Sequence, residues 1–422
     1  MKRLSMLVAV ALSFLAVDGV GATGLPSTKP EQVGLSSERL ERIAQALRAD
    51  VERGRIPGAV VVVARKGRVA YVTAVGFRDK AAGTPMTADA IFRLASMTKP
   101  MVTVAALSLY EEGRLFVSDP VSKYLPAFKT MQVGAEKLDP ATGKMVVVTV
   151  PLEREMTIQD LMRHTSGLTY GNRGKTEVHK LYPQSSNAAS LSLTGEQLIE
   201  QLGKTPLLYQ PGTMWEYGLS TDVLGRVVEV VAGKPLQHVL EERIYRPLKM
   251  TDTSFLVPSD KRARIAQPLP THPDTGQPYT LVDPTVPRKF DCGGGCGVGT
   301  AGDYVRFAQM LLNRGALDGA RVLAPKTVEF MTADHLGKIG RGFAYFGGPG
   351  YTWGLGVAVR QEKGLSPVNG STGDFFWPGA FATYWWADPK EQMVVVSMMQ
   401  APFGRHYQDL LRGLVYQAID PN

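Results

Sequence analysis

Residues 92–100 read Phe92-Arg93-Leu94-Ala95-Ser96-Met97-Thr98-Lys99-Pro100 and open a predicted helix. Ser96 and Lys99 are almost one helical turn apart, so the hydroxyl and the amine share one face. A serine hydroxyl is a weak nucleophile until a neighbour accepts its proton, and a partly buried lysine can do this because desolvation lowers its pKa. The helix start also directs backbone N–H groups towards developing negative charge. The stretch predicts a nucleophilic serine, although an N-cap serine followed by a surface lysine has the same spacing.

Segments rich in β-branched residues lie at both ends of the chain. Five of them are predicted to be strands: 59–64, 69–75, 352–360, 380–387 and 392–399. An isolated two-stranded hairpin is marginal in water, so we expect the first pair and the last three to share one antiparallel sheet. Amphipathic helices at 36–53 and at the C-terminal end would cover it.

The middle of the chain reads as a helix-rich insertion. Helical spacing is found near residues 99–112, 196–202, 221–232, 236–245 and 302–313, and long Pro/Gly-rich connections are predicted at 130–155, 170–195, 256–298 and 337–351. The predicted fold class is α/β of the α+β type, with an antiparallel sheet flanked by the N- and C-terminal helices. Residues 23–85 and 340–422 would form the sheet lobe, and residues 86–339 the helix-rich lobe, with a cleft between them.

The first 22 residues have the pattern of a secretory signal peptide. Lys2 and Arg3 precede a largely apolar run from Leu4 to Val17, and small residues lead to Ala22. The run is shorter than the ~20 residues that a membrane-spanning helix needs. We therefore expect a cleaved leader at 1–22 and a secreted or periplasmic protein without stable membrane insertion.

Composition and charge argue against several classes of function. The chain has 422 residues, 44% of them hydrophobic, which is typical of a globular protein. Its 47 Lys and Arg against 39 Asp and Glu give a net charge of +8. These basic residues are dispersed among acidic ones, so no nucleic-acid partner is expected. Two cysteines, and histidines without a His-Glu-x-x-His pair, predict no metal site. The Gly-x-Gly-x-x-Gly at 297–302 follows no convincing strand, so no dinucleotide cofactor is expected either.

The two cysteines leave two interpretations open. They lie in Cys292-Gly-Gly-Gly-Cys296, where three glycines could permit a small-loop disulfide in an oxidising compartment. Two free thiols fit the sequence equally well.

Five further stretches accompany the Ser96 segment in order along the chain. They are Thr157-Ile-Gln-Asp-Leu-Met-Arg-His-Thr-Ser-Gly-Leu168, Pro211-Gly-Thr-Met-Trp-Glu-Tyr217, Pro247-Leu-Lys-Met-Thr-Asp-Thr-Ser-Phe255, the Gly-rich residues 293–304, and Phe376-Trp377-Pro378-Gly379-Ala380. Together the six stretches resemble the serine hydrolases that include class C β-lactamases, DD-peptidases and family VIII carboxylesterases. The resemblance covers residues 30–420, essentially the whole chain after the predicted leader.

The resemblance implies roles for particular residues. Ser96 would be the nucleophile and Lys99 its activating partner. Tyr217 matches the tyrosine of the family's Tyr-x-Asn motif and would pass a proton between Ser96 and the leaving group. Residues 377–379 stand where lactamases carry Lys-Thr-Gly, and the Ala380 N–H would join that of Ser96 in binding the oxyanion. The substrate-binding wall would comprise Trp377, Gly379, Ala380 and Leu219.

Two departures from the lactamase pattern favour ester substrates. Leu219 replaces an asparagine whose amide would bind a substrate amide, and Trp377 replaces a lysine. A unit charge 4 Å away is worth about 4 kcal/mol at an effective dielectric of 20, so a Tyr217 phenolate is less favoured here. We therefore hypothesise that a neutral Lys99 is the resting base and that Tyr217 relays the proton. An alkoxide leaves more readily than an amine, so esters should suffer least. Trp-x-Gly also resembles the family VIII carboxylesterases.

The predicted function is an exported carboxylesterase that cleaves small, short-chain esters through an acyl-enzyme on Ser96, with no cofactor. β-Lactamase or DD-peptidase activity is the alternative within the same chemistry. A catalytically idle, peptidoglycan-binding protein of the same fold is the alternative from another class. The presence of Ser96, Lys99 and Tyr217 together argues against it.

Overall fold

The computed structural model describes residues 23–342 and 345–420, so the predicted leader lies outside the described residues. Fourteen strands are found in this part of the chain: β1 (Gly58–Arg65), β2 (Arg68–Asp79), β3 (Thr84–Pro85), β4 (Phe92–Arg93), β5 (Gln132–Leu138), β6 (Met145–Pro151), β7 (Val298–Gly299), β8 (Ala316–Leu317), β9 (Ala320–Arg321), β10 (Tyr351–Trp353), β11 (Ala358–Arg360), β12 (Phe375–Phe376), β13 (Tyr384–Asp388) and β14 (Met393–Met399). Eight of them form one antiparallel sheet in the order β10-β11-β12-β13-β14-β1-β2-β3.

Ten α-helices are found in the described ranges, on the sheet or in the helix-rich middle of the chain. They are α1 (Ser37–Glu52), α2 (Thr98–Glu111), α3 (Ile158–Met162), α4 (Ser186–Ser192), α5 (Gly195–Lys204), α6 (Ser220–Ala232), α7 (Leu236–Leu240), α8 (Ala301–Leu312), α9 (Pro325–Met331) and α10 (Gly404–Tyr416), and a π-helical turn at Glu241–Tyr245 continues α7. No helix in the described ranges is long and apolar enough to cross a membrane.

The two ends of the chain meet in the middle of the sheet, as the sequence predicts. Strands β1 and β14 pair antiparallel, with Ala59 opposite Met399. Both strands are buried along nearly their whole length, which explains their uninterrupted valine-rich sequences. Helix α8 packs on β1, β13 and β14, while α1 packs on β1 and β2 and against α10. The expected antiparallel sheet with flanking N- and C-terminal helices is confirmed.

Two of the predicted strands differ from the observed ones. The segment 352–360 is not one strand but the hairpin β10–β11, because the chain turns at Gly354 and Gly356, the latter with a φ of 76°. The segment 380–387 becomes a strand only at Tyr384. Before it the chain forms a loop in which Ala382 has a φ of 63°.

The connection predicted at 130–155 is wrong in part, because it contains the hairpin β5–β6. β6 is a continuous β-branched run, and Gly134, Gly143 and the flanking prolines obscured it in the sequence. Helices α4 and α9 were likewise not anticipated. A capping box begins α3: the Thr157 hydroxyl accepts from the Asp160 N–H, and the Asp160 carboxylate accepts from the Thr157 N–H.

Helix α2 is buried from Thr98 to Leu109 and packs against α6 and α7. A helix that is apolar on all sides needs protein around its whole circumference. This burial fixes the start of α2, where Lys99 lies, and the turn before it, which carries Ser96.

A buried ion cluster ties the end of the sheet to α10. Asp374 is fully buried, and its carboxylate accepts hydrogen bonds from Arg360 Nε at 2.7 Å, Arg412 Nη1 at 3.0 Å and the Tyr351 hydroxyl at 3.1 Å. These partners come from β10, β11 and α10, so one carboxylate joins three elements just before Trp377.

Substituting Asp374→Asn should lower the free energy of unfolding by about 3–5 kcal/mol, because two buried guanidinium groups lose their counter-charge. Urea denaturation followed by circular dichroism measures this. The control Glu329→Gln breaks only exposed ion pairs, those with Lys326 and Arg314, and should cost no more than about 1 kcal/mol. If the two variants are equally stable, the cluster does not have this role.

Candidate active site

A cavity of about 700 Å³ is lined by residues that are distant from one another in the sequence. Its lining includes side chains or backbone from five parts of the chain: Ser96, Tyr170, Tyr217, Gly294, and Trp377 with Ala380. The structure therefore brings most of the predicted site residues to one place. The remaining lining includes Arg173 and Phe346, whose guanidinium carbon and ring centroid are 4.1 Å apart.

Ser96 lies in a 3₁₀ turn, Ala95–Met97, that runs directly into α2. Ala95 has a φ of 48°, a left-handed conformation that costs a non-glycine residue about 1–3 kcal/mol. Burial of α2 holds this turn in place.

Lys99 contacts Ser96 as the spacing predicts. Its Nζ lies 3.4 Å from Ser96 Oγ and 3.3 Å from the Tyr170 hydroxyl, and it donates a hydrogen bond to the Gly294 carbonyl. The lysine is fully buried, which excludes the surface-lysine interpretation.

Tyr217 lies close to Lys99, and Trp377 contacts Tyr217. Tyr217 lies just before α6, and its ring centroid is 4.5 Å from Lys99 Nζ. Trp377 is buried, and its indole Nε1 donates a hydrogen bond to the Tyr217 hydroxyl oxygen at 3.1 Å. From the sequence alone, Trp377 was seen only to lack the positive charge of the lysine that lactamases carry at this position. The structure adds that it supplies a neutral donor to the same phenol.

A chain of hydrogen bonds behind Lys99 was missed by the sequence reasoning. The Tyr170 hydroxyl is 2.7 Å from Ser186 Oγ, which donates to Asp222 Oδ2 at 2.7 Å. The other oxygen of Asp222 accepts the Gly294 N–H at 2.9 Å. Tyr170 follows the 157–168 stretch and Asp222 follows Tyr217 closely, but nothing in their local sequence indicates this convergence.

The environment of Lys99 favours its charged form. Burial alone lowers the pKa of Lys99, but Tyr170, Tyr217 and Asp222 together raise it, and the net pKa is above its ordinary value. The Gly294 carbonyl accepts one of its hydrogens, which also favours the ammonium. These surroundings favour an ammonium at Lys99 over the neutral amine of the sequence-based hypothesis.

The two backbone N–H groups that are expected to bind the oxyanion are unpaired in the described chain. In the part of the chain that the structure describes, neither the Ser96 N–H nor the Ala380 N–H has an intramolecular acceptor. Both residues line the cavity. The Gly379 N–H instead donates to the Thr383 carbonyl at 2.8 Å, and a Cβ on Gly379 would collide with Thr383 and the Leu94 carbonyl. Gly379 thus permits a close approach and is not a third donor.

Leu219 does not belong to the cavity wall, contrary to expectation. It is fully buried at the N-terminal end of α6 and is absent from the residues that line the cavity. An apolar side chain at this position packs into the core, whereas an asparagine would need a polar partner.

His164, from the 157–168 stretch, packs beside the site. Its ring centroid is 4.7 Å from that of Tyr217, and it is almost fully buried. Burial lowers the pKa of His164 well below its usual value, with Lys99 and Arg173 adding to the effect, so the ring stays neutral. A structural role, as expected, agrees with this environment. Among residues 23–342 and 345–420 no cluster of metal-binding side chains is found.

Cys292 and Cys296 form a disulfide, which decides between the two interpretations of the sequence. The bond closes the glycine run that presents the Gly294 carbonyl to Lys99.

Comparisons with known proteins agree with this geometry. The Beta-lactamase family model matches residues 43–418. An uncharacterized protein of Mycobacterium tuberculosis is 35% identical over 368 residues, covering 84% of this chain and 88% of the relative. Esterase EstB of Burkholderia gladioli is 31% identical over 367 residues, covering 82% and 85%.

A solved structure described as EstCE1, a hydrolase with promiscuous acyltransferase activity, superposes with a TM-score of 0.73 at 29% identity and covers 90% of this chain and 99% of its own. The chain therefore belongs to the Beta-lactamase family and is a serine hydrolase related to its class C-like esterases.

Proposed function

We propose that this protein is an exported carboxylesterase that hydrolyses short-chain esters through an acyl-enzyme on Ser96. One observation carries the proposal. Ser96 Oγ lies 3.4 Å from Lys99 Nζ, and the N–H groups of Ser96 and Ala380, which have no acceptor within the described chain, belong to residues that line the same cavity. A nucleophile and an oxyanion site on one cavity wall are what acyl transfer requires.

Acylation follows from these positions. The ester carbonyl oxygen accepts hydrogen bonds from the N–H groups of Ser96 and Ala380 while Ser96 Oγ attacks the carbonyl carbon. In the reactive form the Lys99–Tyr217 pair has lost one proton. We assign the base role to Tyr217, because the Gly294 carbonyl accepts a hydrogen bond from Lys99 and the surroundings of Lys99 raise its pKa, so that the lysine stays an ammonium. The phenolate then takes the Ser96 proton, with the Lys99 ammonium and the Trp377 N–H stabilising its charge.

The same tyrosine completes the cycle. Collapse of the tetrahedral intermediate breaks the ester C–O bond, and Tyr217 gives its proton to the departing alkoxide. Water then attacks the acyl-enzyme, its proton passes to Tyr217, and cleavage of the acyl–Oγ bond returns that proton to Ser96. His164 has no role in these steps, because burial lowers its pKa well below the usual value and makes the ring a weak base.

The preference for esters rests on Trp377, which lines the cavity, and on Leu219, which is buried outside its lining. Leu219 offers no amide to the cavity, so a substrate amide lacks that partner. Trp377 provides a single neutral donor to Tyr217 in place of a cation, which leaves less support for expulsion of a poor amine leaving group.

Export is supported by the leader pattern at 1–22 and by the Cys292–Cys296 disulfide, since disulfides persist mainly in oxidising compartments.

Acyl transfer to an alcohol is a second candidate. EstCE1 is described as having promiscuous acyltransferase activity, and an alcohol could occupy the position of the deacylating water in the 700 Å³ cavity.

Ser96→Ala should reduce ester hydrolysis at least about 10³-fold while leaving the unfolding midpoint nearly unchanged, because only the nucleophile is removed. Intact-mass spectrometry of the wild type with p-nitrophenyl butyrate should show one acyl adduct that the variant lacks. Ser259→Ala changes an exposed serine and serves as the control. An adduct that survives in Ser96→Ala would place the nucleophile elsewhere.

Tyr217→Phe should slow alkyl esters more than p-nitrophenyl esters, because a nitrophenolate leaves without protonation. The expected loss for an alkyl ester is about 10²–10⁴-fold. Trp377→Phe, which removes only the indole donor, should show the same ordering with a smaller loss. Steady-state kcat/KM on both ester series measures this, and equal losses on the two series would contradict the relay.

A substrate panel separates the related activities. Wild-type protein should turn over C2–C6 p-nitrophenyl esters far faster than nitrocefin or a D-Ala-D-Ala peptide. Adding butanol at fixed ester concentration should divide product between acid and butyl ester if acyl transfer also occurs. Strong lactam turnover without ester cleavage would replace the esterase proposal by that of a lactamase.

A further inference from the structure

Hairpin β5–β6 carries an apolar surface that the catalytic proposal does not use. Its exposed large hydrophobic side chains are Leu138, Met145, Val146, Val148 and Val150, each between 38% and 58% exposed. The three valines alternate along β6, so they form a stripe on one face of the strand. Contiguous apolar surface of this kind marks interaction sites in soluble proteins.

The outer edge of β6 is open. β6 pairs with β5 on one side, and on the other no backbone partner of residues 145–150 is found in the described chain. The outer edge of β5 is occupied at its start, where Leu207 exchanges backbone hydrogen bonds with Gln132 and Gly134. Residues 145–150 contain no charge and no proline, the usual protections of a free edge.

We propose that β6 pairs antiparallel with β6 of a second copy of this chain, around a twofold axis at Val148. The result is a continuous four-stranded sheet, β5-β6-β6-β5. In this register Val146 of each copy lies opposite Val150 of the other, so the two valine stripes join on one face. The twofold axis places the unpaired N–H groups of each β6 edge opposite unpaired C=O groups of the other copy.

The charges that flank β6 favour a second copy of this chain as the partner and an antiparallel arrangement of the two strands. Lys144 precedes β6 and Glu153 follows it, and neither side chain has a charged partner in the described residues. Antiparallel pairing brings Lys144 of one copy to the same end as Glu153 of the other, whereas parallel pairing would bring like charges together. Strand addition of this length is at the small end of specific interfaces, so the dimer should depend on concentration.

Sedimentation velocity of the mature protein, from about 1 to 300 µM, tests the proposal. Wild type should pass from monomer to dimer over this range. Val148→Lys places like charges face to face on the axis and should remain monomeric, with unchanged ester turnover. Val286→Lys, which alters an exposed valine elsewhere, should dimerise as wild type does.

A cysteine variant keeps the test independent of Val148→Lys folding. With Cys292 and Cys296 already paired, Val148→Cys adds one thiol that should form an intermolecular disulfide in high yield under mild oxidation, whereas Val286→Cys should not. A wild type that is monomeric throughout, dimerisation unaffected by Val148→Lys, or β6-dependent binding to phosphatidylcholine vesicles without dimers would each overturn the proposal. None of these outcomes bears on catalysis at Ser96.

Discussion

The site depends on one buried positive charge, the ammonium of Lys99. A charge taken out of water is unfavourable unless the protein supplies acceptors and counter-charge. Here the Gly294 carbonyl and the Tyr170 hydroxyl accept from it directly. Asp222 accepts from the Gly294 N–H, and it is linked to Tyr170 through the hydroxyl of Ser186. Removing any of these partners would leave the ammonium poorly solvated. The lysine therefore fixes the positions of the groups around it.

Those partners come from distant parts of the chain, and the fold explains how they meet. Helix α2 presents Ser96 and Lys99 from the centre of the molecule, while α6 carries Asp222 and the Cys292–Cys296 disulfide closes the loop of Gly294. The sheet lobe reaches the same point through Gly379, whose lack of a side chain lets residues 377–380 approach the Leu94 backbone. Both lobes must be folded before a nucleophile, a phenol and two N–H donors face one cavity.

Sequence reasoning succeeded where a signal is local and failed where it is not. The pairing of the two chain ends was predictable because short β-branched runs need partners, and Ser96 and Lys99 because one helical turn relates them. Tyr170 was missed because its role arises from a contact across 71 residues, which no spacing reveals. Leu219 was wrongly assigned to the cavity wall, because the position was expected to face the substrate as the family's asparagine does. A leucine at this position packs into the core instead.

The replacement of a lysine by Trp377 shows how a changed residue can retain part of a function. A cation at this place would stabilise a Tyr217 phenolate through charge. The indole does so through one hydrogen bond of 3.1 Å from a donor that cannot lose or gain a proton near neutral pH. A hydrogen bond to a charged group contributes about 1.5–3 kcal/mol, which is less than a close unit charge can supply at moderate dielectric. Lys99 is therefore the cation beside the Tyr217 phenol. The reactivity of Tyr217 depends on the same ammonium around which the site is arranged.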